Sequence, residues 1–397
     1  MRIQILGVYI DSVKKKYALA KIKEWLLSDQ GQYKIFTPNP EFLVEAYKNP
    51  KFRRTLNKGD LNLPDGIGLK MVAPIFGDKI IERISGVDFM LEICDTAQKN
   101  HKSIYLLGGR GETARKTSEI LIRKYPNLII KGASQGLEDA NSRGIENQDL
   151  LDEINGLKPD ILFVAFGHPK QEFWIENNLS RLLSVKIAMG VGGSFDYISG
   201  KVKRAPRYLR NMGFEWLYRL AKEPRRFTRI INAVLVFPVL AIKWILRSLF
   251  IYRPNVVMFL FKSPCWVLVV RRNTEEEHWQ IPQGGKEAGE TSEQALMREA
   301  KEELGTNDFK ILRKVDNFFS YKWKNRKYEM HYGNKGQKQT IFFLEFTGSD
   351  SAIKLDLDEL LESNWVKLDT APLTVHTDRL EMTQKAVNYF KKNFKEL

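Results

Sequence analysis

The sequence predicts two mixed α/β domains joined by a basic and apolar segment. The chain has 397 residues, which is long for a single domain. Residues 1–202 alternate short apolar runs with helical stretches, which is typical of a Rossmann-like parallel or mixed sheet with flanking helices. Residues 203–250 are first basic and then apolar. Residues 251–397 begin with the strand-like runs VVMFLF and WVLVVRR, which predict a second domain of α+β type.

Five apolar runs define the predicted strands of the first domain. Each run ends in glycine or polar residues and is followed by a helical pattern. The runs are YKIFTP (33–38), SIYLLGG (103–109), LIIKGAS (128–134), DILFVAFG (160–167) and KIAMGVGG (186–193). Ligands of such sheets bind at the carboxyl ends of the strands, so we expect functional residues in the loops that follow these runs.

The composition favours anionic partners in a reducing compartment. The net charge is +15, which suits nucleotides, phosphorylated lipids or a membrane surface, and no nucleic-acid-binding motif stands out. Cys94 and Cys265 are far apart and lack metal-ligand spacing, so they are expected to be small buried residues of a cytoplasmic protein. The N-terminal MRIQILGVYIDSV lacks the basic-then-apolar order of a signal peptide.

Residues 201–250 combine positive charge, aromatic rings and an apolar run. Ten Lys or Arg and two Glu occur in residues 201–229, and the apolar run 230–250 has about the ~20-residue length of a membrane span. Polar residues and a proline interrupt that run at Asn232, Pro238, Lys243 and Arg247. The pattern therefore favours an interfacial or subunit-packing helix pair over a true span, and a membrane surface over nucleic acid.

Polar and glycine residues follow the predicted strands of the first domain. Asp65 lies in a turn between Pro64 and Gly66, where a carboxylate is presented rather than buried, and the alternative is an aspartate that only forms the turn. The other candidates in these loops are Thr37, Asn39, Gly108, Gly109, Gln171, Glu172, Gly192, Gly193 and Asp196. For Asn39 the alternative role is a helix cap, and for the glycines it is a tight turn rather than a phosphate cradle.

Seven blocks of the first domain, in order, resemble the WecG/TagA/CpsF glycosyltransferases. They are TPNPEFLVEAY (37–47), LNLPDGIGL (61–69), ERISGVDF (82–89), LLGGRGE (106–112), GHPKQEFWI (167–175), GVGGSFDYISG (190–200) and residues 203–229. The resemblance implies transfer of an N-acetylmannosamine-type sugar from a UDP donor to a polyprenyl-diphosphate-linked acceptor at the inner face of the cell membrane. It also makes Asp65 the catalytic base and places Gln171 and Glu172 in the donor site.

Arginines are the expected partners of the diphosphates. The candidates are Arg83, Arg207, Arg219, Arg225 and Arg226, for which a solvated basic face is the alternative. No acidic metal motif stands out in this domain, so no cofactor is expected for the transferase.

A second constellation lies within the segment GGKEAGETSEQALMREAKEELG, residues 284–305. Five residues separate Gly284 from Glu290, and seven separate Glu290 from Arg298. The remaining members are Gly285, Glu299, Glu302, Glu303 and Gly305. A helix places these three glutamates on one face, where their oxygens favour Mg²⁺ or Mn²⁺, and Arg298 can brace them. Such ions bridge a diphosphate and activate water.

This spacing resembles the Nudix box, with Thr306 at a position that is usually aliphatic. The alternative, a solvated acidic helix, leaves the Gly-Gly pair and Glu290 unexplained. The flanking sequences HWQIPQGGKEAGE (278–290) and GQKQTIFFLEF (336–346) resemble the diadenosine-polyphosphate and RNA 5′-pyrophosphohydrolase branch. Thr340 and Ile341 depart from that branch, which usually has an aromatic residue there. The resemblance implies hydrolysis of a nucleoside diphosphate-X bond.

The sequence is therefore interpreted as a bifunctional, peripheral enzyme of the inner membrane face. Its expected partners are the donor, the lipid-linked acceptor, a nucleoside diphosphate-type substrate and, as an alternative use of the apolar run, a second copy of the chain. Two other interpretations stay open: a Nudix domain that only senses nucleotides, and a membrane scaffold without catalysis. The fusion also motivates the hypothesis that the Nudix domain acts on the donor or product of the transferase.

Overall fold

The computed structural model describes residues 1–28, 30–135, 148–206, 208–209, 216–218, 227–262, 265–273, 277–287, 289–324, 329 and 333–394. The chain divides into two compact units. The first comprises Met1–Leu246 with Met330–Gly333, and the second comprises Arg247–Glu329 with Asn334–Leu397.

A six-stranded parallel sheet forms the centre of the first unit. An antiparallel hairpin of β1 (Arg2–Ile5) and β2 (Val8–Asp11) precedes it. The six strands are β3 (Tyr33–Phe36), β4 (Leu61–Asn62), β5 (Ser103–Gly108), β6 (Ile129–Ser134), β7 (Ile161–Ala165) and β8 (Ile187–Gly190). Their order is β4-β3-β8-β7-β5-β6, and every pairing is parallel. All five apolar runs are strands, so the predicted Rossmann-like sheet is confirmed.

Helices cover both faces of this sheet. They are α1 (Lys15–Leu27), α2 (Pro40–Lys48), α3 (Pro50–Asn57), α4 (Ile67–Val72), α5 (Gly86–Lys99), α6 (Thr113–Lys124), α7 (Gln148–Leu157), α8 (Lys170–Asn178) and α9 (Ser194–Ile198). A 3₁₀ turn, Ala73–Phe76, extends α4. One apolar core holds Ile22, Ile93 and Phe195, and the other holds Leu43, Phe52 and Ile175. The chain thus buries both faces of the sheet and leaves the strand ends open to ligands.

A single helical stretch replaces the helix pair expected in the apolar run. It consists of α10 (Phe227–Ile231), the π turn Asn232–Val236 and α11 (Phe237–Phe250). Pro238 has no N–H to donate to the preceding turn, and the wider π turn before it lets the helix continue. By length and composition alone, Phe227–Phe250 is the one helix among the described residues that is long and apolar enough to cross a membrane.

The second unit is a seven-stranded sheet between two helices. Its strands are β9 (Tyr252–Lys262), β10 (Trp266–Arg272), β11 (Trp279–Gln280), β12 (Gln283–Gly285), β13 (Phe309–Lys322), β14 (Gly336–Phe346) and β15 (Leu360–Lys367). The parallel pair of β9 and β14 lies in an otherwise antiparallel sheet. The helices are α12 (Ser292–Glu303), the short α13 (Ala371–Thr374) and α14 (Leu380–Asn393).

The two long helices of the second unit pack on opposite faces of its sheet. Ala295, Leu296, Ala300 and Leu304 of the α12 segment are buried on one face. Met382 and Phe390 of α14 are buried on the other. The α+β prediction is therefore confirmed. The two cysteines differ, because Cys94 is buried whereas Cys265, in the connection between β9 and β10, is exposed, and the expectation of burial is wrong for Cys265.

Candidate active sites

A cavity of about 860 Å³ lies at the carboxyl end of the parallel sheet. Each of the six strands is followed by residues that line it. The lining includes Thr37 and Asn39 after β3, Asp65 after β4, Gly109 to Gly111 after β5, Gln135 after β6, Gly167 and His168 after β7, and Gly192 and Gly193 after β8. This placement is the one expected for a ligand site of a parallel sheet.

Asp65 lies where two loops and a helix converge. Its backbone N–H donates to Pro38 O at 2.9 Å, which ties the loop after β4 to the loop after β3. Its Oδ2 accepts from the N–H of Gly86, the first residue of α5, at 3.2 Å. A helix N-terminus stabilises negative charge, so the Asp65 carboxylate is held in place and faces the cavity. A Cβ on Gly86 would lie 3.0 Å from Thr37 Oγ1, which shows how closely these segments approach.

Asn39 serves as a helix cap and also lines the cavity. Its Oδ1 accepts from the N–H groups of Glu41 and Phe42 at the start of α2. Both roles that the sequence left open are therefore compatible in this structure. The cap fixes Glu41, a residue that the sequence analysis did not select, at the cavity wall.

Glu41 contacts a histidine and an arginine at the wall of the cavity. His168 Nε2 lies 2.9 Å from Glu41 Oε1, and Arg229 Nε lies 3.3 Å from the same oxygen. The His168 ring stacks on Phe42 at a centroid distance of 4.6 Å, so its orientation is fixed by packing. Arg229 is the arginine that the described part of the basic segment brings to the cavity.

Gln171 and Glu172 have different roles in the structure. Gln171 lines the cavity, accepts from the Gly192 N–H through Oε1 at 2.9 Å, and donates through Nε2 to Glu172 Oε1 at 2.7 Å. Glu172 is fully buried beneath it, and burial raises the pKa of this carboxyl to about 7. A Cβ on Gly190 would lie 2.8 Å from Gln171 Nε2, so only glycine leaves room for the pair.

The glycines after β5 divide between the cavity and the sheet. Gly109 lines the cavity. Gly108 instead has φ +107, and a Cβ there would lie 2.7 Å from the carbonyl carbon of Ala165 on β7, so close strand packing explains it. At the opposite side of the cavity Asp196 lies 3.8 Å from Lys201 Nζ, which also donates to Thr113 Oγ1 at 3.4 Å.

The predicted diphosphate arginines are not all at the cavity in the described structure. Arg83 is half-buried in the loop before α5 and is absent from the described cavity wall. Arg207, Arg219, Arg225 and Arg226 lie outside the described residues. The cations that the structure does bring to the cavity include Lys170, Lys201 and Arg229, which charge runs alone did not distinguish from a solvated face.

In the second unit, Arg298 organises the acidic residues of α12. Its guanidinium donates to both oxygens of Glu290 at 2.7 and 3.0 Å, to Glu299 at 2.7 Å and to Glu302 at 2.9 Å. It also donates to Gly285 O at 2.9 Å. These bonds hold the pKa of Glu290 below its usual value. The bracing role predicted for Arg298 matches this geometry, and it explains why Glu290 belongs to the pattern.

Glu303 lies deepest among the three glutamates. Burial, followed by repulsion from Glu299 and Glu359, raises its pKa to about 9, and burial likewise raises the pKa of Glu299. Glu303 Oε2 is buried without a hydrogen-bond partner among the described residues. Glu359, immediately before β15, is an acidic neighbour that the sequence analysis missed, because it lies outside the consecutive motif.

These carboxylates fit a hard divalent cation. They offer oxygen donors, repel one another and leave a buried acceptor unsatisfied, which are conditions that a bound cation relieves. Among the described side chains no three acidic, histidine or cysteine residues already form an assembled ligand cluster. In this conformation Arg298 donates to oxygens of both Glu299 and Glu302.

The glycines of this motif have steric explanations. A Cβ on Gly284 would lie 2.0 Å from Glu299 Cδ, and one on Gly285 would lie 2.1 Å from an Arg253 nitrogen. Gly305 has φ +70 just beyond the end of α12, a left-handed conformation that favours glycine. Thr306 is buried and its Oγ1 accepts from the Asp308 N–H at 3.1 Å, which accounts for the departure from an aliphatic residue.

Family models match almost the whole chain. Residues 3–250 match the Glycosyl transferase WecG/TagA/CpsF family, and residues 251–386 match the NUDIX domain. The chain belongs to the WecG/TagA/CpsF family. It is a glycosyltransferase of that family joined to a Nudix hydrolase domain, as the two resemblances predicted. Whether the basic and apolar segment forms a division of its own at residue 203 stays a prediction.

Curated relatives cover the first unit. The chain is 34% identical over 224 residues to the N-acetylglucosaminyldiphosphoundecaprenol N-acetyl-beta-D-mannosaminyltransferase of Bacillus spizizenii, covering 56% of this chain and 84% of that protein. The enzyme of the same name from Staphylococcus aureus is 30% identical over 231 residues, covering 58% and 88%. Among solved structures, an Ap4A hydrolase of C. elegans aligns with a TM-score of 0.28 at 16% identity, over 35% of this chain and 98% of that one.

Proposed function

We propose that the first unit transfers an N-acetylmannosamine-type sugar from a UDP donor to a polyprenyl-diphosphate-linked N-acetylglucosamine acceptor in cell-surface polysaccharide synthesis. The observation that carries the proposal is the convergence of Asp65, Thr37 and the N-terminus of α5 in the cavity above the sheet. The names of the curated relatives supply the sugar and the acceptor.

Asp65 acts as the base in this proposal. An acceptor hydroxyl attacks the anomeric carbon of the donor and gives its proton to the Asp65 carboxylate. The bond from the anomeric carbon to the UDP oxygen breaks, and its electron pair leaves with UDP. Lys170, Lys201 and Arg229 line the cavity and offset the charge of the diphosphate.

We infer that the helix Phe227–Phe250 docks this unit on the membrane. Leu235, Val239, Ile242 and Leu246 are spaced by four, three and four residues, and each is more than half exposed. On the opposite face Phe237 and Ala241 are fully buried in the core of the unit. An exposed apolar stripe on a helix whose other face is buried suits a leaflet surface, and the net charge of +15 suits anionic lipids.

The proposed activity of the second unit is metal-dependent hydrolysis of a nucleoside diphosphate-X compound. Glu299, Glu302 and Glu303 would hold Mg²⁺ or Mn²⁺, with Glu359 as an acidic neighbour. Such a cation, when bound, neutralises phosphate oxygens and acidifies a water molecule. Arg298 keeps Glu299 and Glu302 on the side of α12 that faces Glu290 and Gly285.

The first experiment measures UDP release by the purified full-length protein from UDP-N-acetylmannosamine, with and without a polyprenyl-diphosphate-N-acetylglucosamine acceptor. Release that requires the acceptor and vanishes in Asp65→Asn but persists in Glu302→Gln supports the transferase. Release without acceptor that vanishes only in Glu302→Gln means that the Nudix domain consumes the donor. In that case the transferase needs a different substrate.

Magnesium-dependent phosphate release from a panel of nucleoside diphosphate compounds tests the hydrolase. Release that Glu303→Gln removes supports catalysis. Nucleotide binding without any release favours the alternative in which the Nudix domain only senses nucleotides.

Membrane docking is tested by flotation with anionic vesicles. Because the helix contributes Phe237 to the core, deleting residues 203–250 would also damage the fold. The triple variant Leu235→Glu, Val239→Glu, Ile242→Glu changes only exposed positions and should lose flotation. Unchanged flotation together with a smaller oligomer would assign the stripe to self-association instead.

A further inference from the structure

The helix that follows Asp65 has an exposed apolar face of its own. In the segment Ile67–Phe76, which joins α4 to its 3₁₀ turn, Met71 is 70% exposed and Ile75, one turn later, is 45% exposed. Leu69 and Phe76 of the same segment are buried in the core. The segment is thus amphipathic, and Lys70 and Lys79 are exposed beside its apolar residues. We call Met71 and Ile75 with these two lysines the α4 face.

The helix that carries the α4 face begins two residues after Asp65 and approaches the apolar helix. Gly66 separates Asp65 from the first residue of α4, so the helix begins beside the base. A Cβ on Gly68 would lie 3.9 Å from Phe237 of the apolar helix, and both helices share one hydrophobic core. At about 1.5 Å of rise per α-helical residue and about 2 Å in the 3₁₀ turn, Met71 lies about 6 Å and Ile75 about 13 Å from Ile67 along the helix axis.

We propose that the α4 face inserts into the lipid leaflet that holds the acceptor and so sets the height of Asp65 above the membrane. The inference rests on the proposed transferase activity. A polyprenyl chain stays in the bilayer while the sugar at its other end must reach the base. The residues next to Asp65 must therefore come close to the lipid surface.

The chemistry of the α4 face fits lipid better than a second protein chain. Met71 and Ile75 are apolar side chains of the kind that enter the boundary between headgroups and acyl chains. Lys70 and Lys79 flank them, and lysine side chains extend their ammonium groups toward anionic headgroups. A second copy of this chain, which also carries a net charge of +15, is a poorer partner for two exposed lysines.

Two membrane contacts, the apolar helix and the α4 face, fix the orientation of the unit on the membrane, whereas one contact does not. A single amphipathic helix on a surface leaves the unit free to rotate about the axis of that helix. A second contact beside Asp65 fixes this rotation and directs the cavity toward the lipid-linked diphosphate. The α4 face therefore raises the rate of transfer to a membrane-embedded acceptor by orienting the cavity. It does not take part in the chemical step of transfer.

The test compares the double variant Met71→Glu, Ile75→Glu with wild type on two acceptors. One acceptor is long-chain and embedded in phosphatidylglycerol-containing vesicles, and the other is a short-chain, water-soluble analogue. We expect transfer to the embedded acceptor to fall at least about tenfold, because acidic residues neither enter the leaflet nor approach anionic headgroups. Transfer to the soluble analogue should stay unchanged, since both positions are exposed.

Leu183→Glu is the matched control, because Leu183 is 87% exposed and follows the 3₁₀ turn Leu179–Arg181 instead of α4. It should leave both activities unchanged. Equal transfer to the embedded acceptor by the double variant would overturn the proposal. A change of oligomeric state with normal transfer would assign the α4 face to a second copy of the chain. A wild-type protein inactive on both acceptors would instead contradict the proposed transferase, an outcome distinct from a failure of the α4 face alone.

Discussion

The two active-site regions are assembled in opposite ways. The transferase cavity takes its lining from loops after six strands, and these residues are spread from Thr37 to Arg229. The hydrolase site takes most of its residues from the 22 positions between Gly284 and Gly305, where one guanidinium bonds three carboxylates. In the transferase cavity each residue is held by its own local contacts, whereas the acidic residues of the hydrolase site are held by the side chain of Arg298. The predictions below test this difference.

The largest effect is expected for Asp65→Asn. An amide keeps the shape and can still accept from the Gly86 N–H, but it does not take a proton from the acceptor. Loss of a general base lowers the rate of transfer by about 10²–10⁴-fold. Steady-state rates of transfer measure this loss. Equilibrium binding of UDP to the same variant should stay unchanged.

Asp60→Asn is the control for Asp65→Asn, because Asp60 accepts from the Lys34 N–H at the start of β3, away from the cavity wall. Full activity of Asp65→Asn would remove the base assignment.

Arg298→Lys should affect the hydrolase site nearly as strongly. A lysine ammonium does not bond Glu290, Glu299 and Glu302 together as the planar guanidinium does. Loss of a partner that orients metal ligands costs about 10–100-fold in metal affinity or activity. Hydrolysis across a magnesium titration measures this loss, with transfer by the same protein as an internal reference.

The matched control is Arg313→Lys, since Arg313 donates an exposed hydrogen bond to Asn393 and bonds no carboxylate among the described residues. Equal loss in both variants would mean that the shared guanidinium has no special role.

The same contrast explains what the sequence could predict. Glu299, Glu302 and Glu303 of the Nudix motif lie on one helix, so their spacing alone fixes which side chains share a face. The strands of the first unit were also predictable, because each is a short apolar run followed by a helical pattern. Asp65 was selected as the base through the family resemblance, because a turn between Pro64 and Gly66 alone favours a turn-forming aspartate, and the structure places it at the strand ends.

Contacts between distant segments were not predictable in this way. The bond between His168 and Glu41 joins residues 127 positions apart, and nothing in their local sequences indicates it. Gly108 and Gly109 are adjacent and look equivalent, yet one packs on β7 and the other lines the cavity. The repulsion between Glu359 and Glu303 likewise depends on how β15 is placed beside α12.

A smaller effect is expected when a methyl group is placed beneath the cavity. In Gly190→Ala the new Cβ would lie 2.8 Å from Gln171 Nε2, so the amide must move and its bond to the Gly192 N–H weakens. We expect the KM for the donor to rise several-fold with little change in kcat.

Gly156→Ala, in α7 with open space around it, should instead stabilise the protein by about 0.5–1 kcal/mol. Initial rates and thermal unfolding measure the two effects, and a lower kcat in Gly190→Ala would place the damage at the base instead.

The smallest effect on activity, and a measurable one on stability, is expected for Glu172→Gln. Burial raises the pKa of Glu172 to about 7 from an ordinary value of 4.5, against opposing contributions from the Gln171 amide and His168. A raised pKa in the folded state means that the carboxyl favours folding below pH 4.5 and loses this contribution as pH rises through 7.

The uncharged amide of Glu172→Gln has no such loss of stability. The variant should therefore match wild type in thermal unfolding at pH 4 and be the more stable protein at pH 8. The two proteins differ only at residue 172, so the difference between them isolates Glu172, and a difference that does not change with pH would show that this carboxyl stays ionised in the fold.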